Sequence, residues 1–256
     1  MNGGAEYVDV DEVLAILGNP GPFQIIQFIF LSSIYLPLSI NDYVVIFFGI
    51  APLFVSCSSA PGDHNLYHPA NSTSVANFTS FNITPWNSED RTCSCPDGFE
   101  YVYPGRQWSI IGDMDLVCDK SPLVNLATVI YFLGWVIASP ISGWATDHFG
   151  RRPTLFVSYG VYTVSQIGLI FSRDYISFTL LRFTVGSARQ IMNTAFFVLM
   201  MEWIPPNKRV LWGTFSENQY NMGLLLTALI GFLLQNWIHI QIFIAVFCVT
   251  AVPLFW

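Results

Sequence analysis

Five side chains able to hydrogen-bond or pair with an ion stand inside otherwise apolar stretches. Arg182, Arg189 and Asn193 lie in one stretch, Glu217 and Tyr220 in the next. A charge at the centre of a bilayer costs about 2.5–3.5 kcal/mol on insertion scales, so each charge there needs a functional or structural reason. Arg182, Gly186, Arg189 and Asn193 follow the spacing i, i+4, i+7, i+11 and share one helical face. Glu217 and Tyr220 are three apart and share another, with Asn221 beside it. A third stretch offers Tyr35, Asn41 and Asp42. Guanidinium groups pair bidentately with carboxylates, so two arginines lean toward a carboxylate or zwitterion. Glu217 and Asp42 lean toward a cation, and a zwitterion suits both sets.

Each residue has a structural reading beside the functional one. Arg189 reads as a substrate contact or as the partner of an acid on span one or five. Glu217 reads as substrate-facing or as the partner of an arginine at 182 or 189. Asn193 and Tyr220 read as cavity residues or as helix–helix hydrogen bonders. Enzymatic chemistry has no foothold. His64, His68, His148 and His239 do not cluster with carboxylates at metal-ligand spacing, and no Gly-x-Ser-x-Gly elbow or phosphate-binding glycine loop is present. No metal, cofactor or nucleic-acid partner is expected.

The elements that carry these residues follow from composition. Of 256 residues, 53% are hydrophobic and only 11% charged, with a net charge of −7. A soluble domain carries about 25% charged residues, so the chain reads as an all-α, multi-pass membrane protein. Residues 43–62, 121–146, 153–172 and 218–256 contain no charge at all. Six helices are predicted, at about 22–46, 123–145, 154–172, 175–203, 211–234 and 237–256. Arg151 and Arg152 follow the second, and Lys208 and Arg209 follow the fourth. Basic residues mark cytoplasmic loops. That places residues 57–122 outside the cell and the amino terminus in the cytoplasm, although residues 1–22 hold only acidic charges.

The long loop agrees with that orientation. Asn71, Asn77 and Asn82 each open a glycosylation sequon. Four of five cysteines, Cys57, Cys93, Cys95 and Cys118, lie in it and imply two disulfides. Cys93 and Cys95 are too close to pair with each other comfortably, so each is expected to pair with Cys57 or Cys118, in either order. Cys248 reads as a small apolar packing residue. The chain divides into a cytoplasmic segment at 1–21, a first span and its extension at 22–56, the loop at 57–122, and spans two to six at 123–256. Val10, Val13, Leu14 and Leu17 predict a short amphipathic helix before the breaker Gly18-Asn19-Pro20-Gly21-Pro22.

The most specific motif lies between spans two and three: Gly143-Trp144-Ala145-Thr146-Asp147-His148-Phe149-Gly150-Arg151-Arg152. Gly143 is expected to allow close helix approach, Asp147 to accept from a helix terminus or pair with arginine, and Gly150 to permit the turn. The motif resembles the signature loop of the major facilitator superfamily. Gly18, Gly21-Pro22-Phe23-Gln24, Leu36-Pro37, Asp115-Leu116-Val117-Cys118-Asp119, Arg182-Phe183, Gly186, Glu202 and Arg209 are similar to the organic cation, organic anion and carnitine transporters of that superfamily. Departures are the residues before Cys57, four loop cysteines where many relatives have six, His148 where Arg or Lys is common, and the additional cation Arg189.

The resemblance implies two six-helix halves with a substrate site between them near mid-membrane. This chain corresponds to the amino-terminal half, so the missing carboxyl half or self-association is expected to complete it. It implies a plasma-membrane transporter of small organic ions, cation or zwitterion such as carnitine ahead of anion, in contact with membrane lipid. The coupling ion is not indicated. By the same resemblance Asn193, Glu217 and Tyr220 line the cavity, and Arg182 is an ion-pair or gating residue. Asp147, Gly150, Arg151, Arg152, Glu202 and Arg209 form a cytoplasmic charge network with it. A non-transporting fragment or cell-surface interaction glycoprotein is the alternative from another class.

Overall fold

The computed structural model describes residues 21–49, 52, 54–57, 66–67, 99–103, 108–117 and 120–251. The amphipathic helix expected at 10–17, the sequon residues Asn71, Asn77 and Asn82, and Cys93, Cys95 and Cys118 lie outside the described residues.

Helix occupies the described part of every stretch read as a span, with one difference in the first. That span divides into α1 (Pro22–Ser32), α2 (Tyr35–Tyr43) and α3 (Val45–Phe48). The break at Ser33-Ile34 has its cause in Pro37. Proline lacks a donor, and its ring crowds the carbonyl four residues earlier, which is that of Ser33. The Ser33 carbonyl instead accepts from the Leu36 amide at 3.1 Å. The chain continues through strands β1 (Phe54–Cys57), β2 (Leu66–Tyr67) and β3 (Phe99–Val102), which form a small antiparallel sheet in the order β2-β1-β3. The short α4 (Ile110–Asp113) leads to α5 (Pro122–Phe149), α6 (Arg151–Phe171), α7 (Tyr175–Trp203), α8 (Arg209–Leu234) and α9 (Trp237–Ala251).

Among the described residues, three helical stretches are long and apolar enough to cross a membrane: Ile25–Phe48, Pro122–Phe149 and Arg151–Phe171. Helices α7 and α8 run for 29 and 26 residues, longer than a bilayer requires. Their charges and amides lower their mean hydropathy. Helix α9 is a shorter apolar helix of 15 residues.

Packing centres on α7, with α5 and α6 both laid against it, α2 against α8, and α9 against α6. The α5–α7 contact is a backbone approach. A Cβ on Gly186 would collide with the Tyr131 carbonyl, and one on Gly134 would sit 2.6 Å from the Phe183 carbonyl. Small residues at such crossings let helices pack without a hydrophobic driving force. Gly143, expected to serve this purpose, faces open space, and a Cβ added there would meet nothing within 4 Å. The close approach lies nine residues earlier, at Gly134. Gly150 does form the turn between α5 and α6, at φ +92°, a left-handed region that favours glycine. Thr154 closes this hairpin by donating to the Ala145 carbonyl at 3.1 Å.

At the other end of the bundle, the segment following the sheet is pinned to the α8–α9 turn. The Trp108 amide donates to the Gln235 carbonyl at 2.9 Å, and the Trp237 amide donates back to the Trp108 carbonyl at 3.3 Å. The Asp113 carboxylate accepts from both indole N–H groups, of Trp108 and Trp237, at 2.5 Å each. Tyr101 donates to Asp115 at 2.7 Å. Burial and this acidic neighbour push the Tyr101 phenol well above its ordinary value. Phe48, Phe178 and Trp237 pack edge to face around this end, with ring centres 5.8–6.1 Å apart. Cys248 is buried and free.

Candidate functional site

Arg189, Tyr131 and Tyr220 converge on Asp42. Arg189 donates from Nη2 to Oδ2 at 2.6 Å and from Nε to both carboxylate oxygens at 3.1 and 3.2 Å. Tyr131 donates to Oδ1, and Tyr220 donates to Oδ2 at 3.0 Å. One carboxylate therefore joins α2, α5, α7 and α8. Both members of the ion pair are buried, with Asp42 8% and Arg189 5% exposed. The Arg189 guanidinium also lies 3.9 Å above the Trp135 ring. Such stacking is favourable for a desolvated guanidinium.

Arg182 lies about two turns away along α7 and is 1% exposed. Its Nη1 donates to the side-chain oxygen Oδ1 of Asn41 at 3.3 Å. Its guanidinium is flanked by the Tyr131 ring at 4.4 Å and the Phe48 ring at 5.3 Å. Among the described residues it has no acidic partner within salt-bridge distance. Asn41 is held in turn. It donates to the Tyr131 hydroxyl at 3.1 Å and accepts from Gln166 at 2.9 Å. Gln241 on α9 donates to the Gln166 side-chain oxygen. The result is a continuous buried network running from α8 through α2, α5 and α7 to α6 and α9.

This geometry sorts the expected cavity residues. Arg189 and Tyr220 meet at Asp42. Asn193 is half-buried one turn further along α7. Glu217 is exposed and lines an open groove of about 570 Å³ with Ile29, Trp212, Phe215, Asn218 and Asn221. Trp212 and Phe215 pack against Phe28 on α1 at 4.8 and 6.2 Å. Among the described residues Glu217 forms no salt bridge. Of the two partners weighed for Arg189, the acid on span one is the one in contact. Tyr131, Trp135, Gln166 and Gln241 complete the centre with Asp42, and spacing along the chain does not single out these four as site residues.

At the carboxyl end of α7 four further charged residues form a second cluster. Arg151 pairs with Glu202 at 2.9 Å. The Arg152 guanidinium lies 5.4 Å from the Trp203 ring centre. Arg209 donates from Nε to the Met201 and Ile204 carbonyls at 3.0 and 3.1 Å. Carbonyls at a helix end lack an amide partner within the helix, and a cation there also opposes the helix dipole. Asp147 is exposed and makes no ion pair among the described residues. The structure thus gathers Arg151, Glu202, Arg152 and Arg209 around the last turn of α7 and leaves Asp147 outside.

Comparison with known proteins agrees with this arrangement. Residues 119–256 match the profile described as Major Facilitator Superfamily. Over 90% of this chain, the sequence is 29% identical to the mouse organic cation/carnitine transporter 2, covering 46% of that protein. Over 97% of this chain it is 27% identical to mouse solute carrier family 22 member 4, covering 49% of it. A match of 31% identity covers 61% of this chain and 28% of solute carrier family 22 member 6-A of Xenopus laevis. These relatives are transporters, not enzymes, and the chain spans about half the length of the first two. With more than half of its residues matching that profile, and with the signature loop turning on Gly150 between two long apolar helices, the chain belongs to the major facilitator superfamily.

Proposed function

We propose that this chain is the amino-terminal six-helix half of a plasma-membrane transporter that moves small organic cations or zwitterions by alternating access. The observation that carries the substrate class is the contrast between two charges near mid-helix. Arg189 is buried and already neutralised by Asp42, whereas Glu217 is exposed in a groove beside two aromatic rings. A carboxylate with aromatic faces nearby suits an organic cation. Asn218 and Asn221 supply hydrogen bonds for a polar substituent.

In this reading helices α1–α3, α5, α6, α7, α8 and α9 make six crossings, with the amino terminus cytoplasmic. The loop at 57–122 is extracellular, glycosylated at Asn71, Asn77 and Asn82, and closed by two disulfides among Cys57, Cys93, Cys95 and Cys118. Arg189, Asn193, Glu217 and Tyr220 line the substrate path. Arg151–Glu202, with Arg152 and Arg209, is an ion-pair latch favouring the outward-open state, since only differential contacts bias a two-state equilibrium. A carboxyl half or a second copy supplies the facing wall.

The test is uptake by cells expressing the protein, using labelled carnitine and labelled benzyltrimethylammonium. Saturable uptake of either is expected, with Glu217→Gln lowering uptake of benzyltrimethylammonium about tenfold. Saturable uptake of phenylacetate instead, or uptake of the cation unchanged by Glu217→Gln, overturns the assignment. For the latch, Arg151→Ala is expected to shift labelling of a cavity cysteine toward the cytoplasmic side, and an unchanged labelling pattern rejects it.

A further inference from the structure

We propose that Asp42 sets the charge selectivity of the cavity by holding Arg189 in a saturated ion pair. The proposal rests on the cation-transport reading above. Without Asp42, Arg189 would be a guanidinium halfway along α7, with a donor edge facing the same helices that frame the substrate path. It is the fifteenth of the 29 residues of α7. Trp135, on whose ring it lies, is likewise the fourteenth of the 28 residues of α5. Such a group is the natural receptor for a substrate carboxylate.

The geometry prevents that use. Nε and Nη2 both face Asp42, one side of the guanidinium is covered by Trp135, and Tyr220 approaches with its ring centre 6.0 Å away. The carboxylate is itself filled. An ionised carboxylate offers about four acceptor positions, and Asp42 accepts from Arg189, Tyr131 and Tyr220. Nη1 of Arg189 alone makes no hydrogen bond among the described residues. The pair thus contributes no net charge to the cavity, and Glu217 is left as the exposed charge one turn from Tyr220 on α8. Asp42 is a positioning and masking residue in this account. It orients Tyr220 and withdraws Arg189 from the substrate.

A charge cycle tests this in the purified protein, by measuring affinities for benzyltrimethylammonium and for phenylacetate. These probes share an aromatic ring and differ in the sign of charge. Asp42→Asn exposes Arg189 and is expected to shift the preference at least about tenfold toward phenylacetate. Arg189→Gln leaves Asp42 unmasked and is expected to shift it at least about tenfold toward benzyltrimethylammonium. The double variant restores electroneutrality and is expected to return to the wild-type preference. A purely structural pair would lower both affinities together without moving their ratio, and that outcome overturns the proposal. So does a double variant whose ratio follows either single variant. Should Asp42→Asn not fold, the ratio in Arg189→Gln decides alone. A wild type that fails to bind benzyltrimethylammonium overturns the cation reading. The Asp42 proposal then stands if Asp42→Asn gains phenylacetate binding, and falls if it does not.

Discussion

The two ends of the chemistry on α7 use the same pair of groups, a guanidinium and a carboxylate, in opposite settings. At mid-helix, Arg189 and Asp42 leave only 7% and 5% of their side chains exposed. At the helix end, Arg151 and Glu202 keep 41% and 45% exposed. The buried pair is embedded in further hydrogen bonds from two tyrosines and stacked on Trp135. Among the described residues the exposed pair has no such support. An exposed pair contributes about 0–1 kcal/mol, whereas removing one partner of a buried pair costs about 3–5 kcal/mol, because a lone charge is left behind. The mid-helix pair is therefore a fixed part of the architecture, and the end pair can break and re-form at little cost.

The sharpest way to break this contrast is to remove one buried partner. Arg189→Met should destabilise the detergent-solubilised protein by about 3–5 kcal/mol, read as a drop in Tm, and Asp42→Asn in the same chain should recover part of it. If Glu202→Gln matched that loss, the contrast would be wrong. Next in size is the backbone approach beside the centre. Gly186→Ala should cost about 1–3 kcal/mol by forcing α5 from α7, while Gly143→Ala, in open space, should leave Tm unchanged or slightly raised. Tyr220→Phe removes one bond to the Asp42 carboxylate and should cost about 1.5 kcal/mol, with a change in the binding of cavity probes. The smallest effect is expected for Glu202→Gln, at most about 1 kcal/mol and diminishing in high salt. Its larger consequence should appear in the labelling of cavity cysteines.

Much of the helical plan is legible in the distribution of charge. The absence of charged residues over 121–146 and 153–172 marks α5 and α6, and the glycine between them marks the turn. The break inside the first span is not legible in the same way, although Pro37 is visible, because an apolar run hides a lost hydrogen bond. The ion pair is legible only as one of several options. Spacing along a helix fixes which residues share a face, but not how neighbouring helices are rotated toward one another. Arg189 therefore reads as a substrate contact or as the partner of an acid on span one or five, and spacing does not mark Asp42 as that acid. Gln166 and Gln241 escape notice for a different reason. They carry no charge, yet an amide buried in an apolar helix needs a partner as surely as an ion does. Gly143 stands out over Gly134 because it belongs to a motif, while close approach is decided by where helix axes cross.

The Asp113 bridge to the indoles of Trp108 and Trp237 gives the long loop a mechanical role. The carboxyl end of that loop is not a slack tether. It is bolted to the turn that joins α8 and α9, through the Asp113–Trp237 side-chain bond and a pair of backbone bonds at Gln235 and Trp237. A load applied at Trp108 or Asp113 is carried into that helical hairpin. The segment from Trp108 to Asp113 is in this sense a handle on the helix that bears Glu217 and Tyr220.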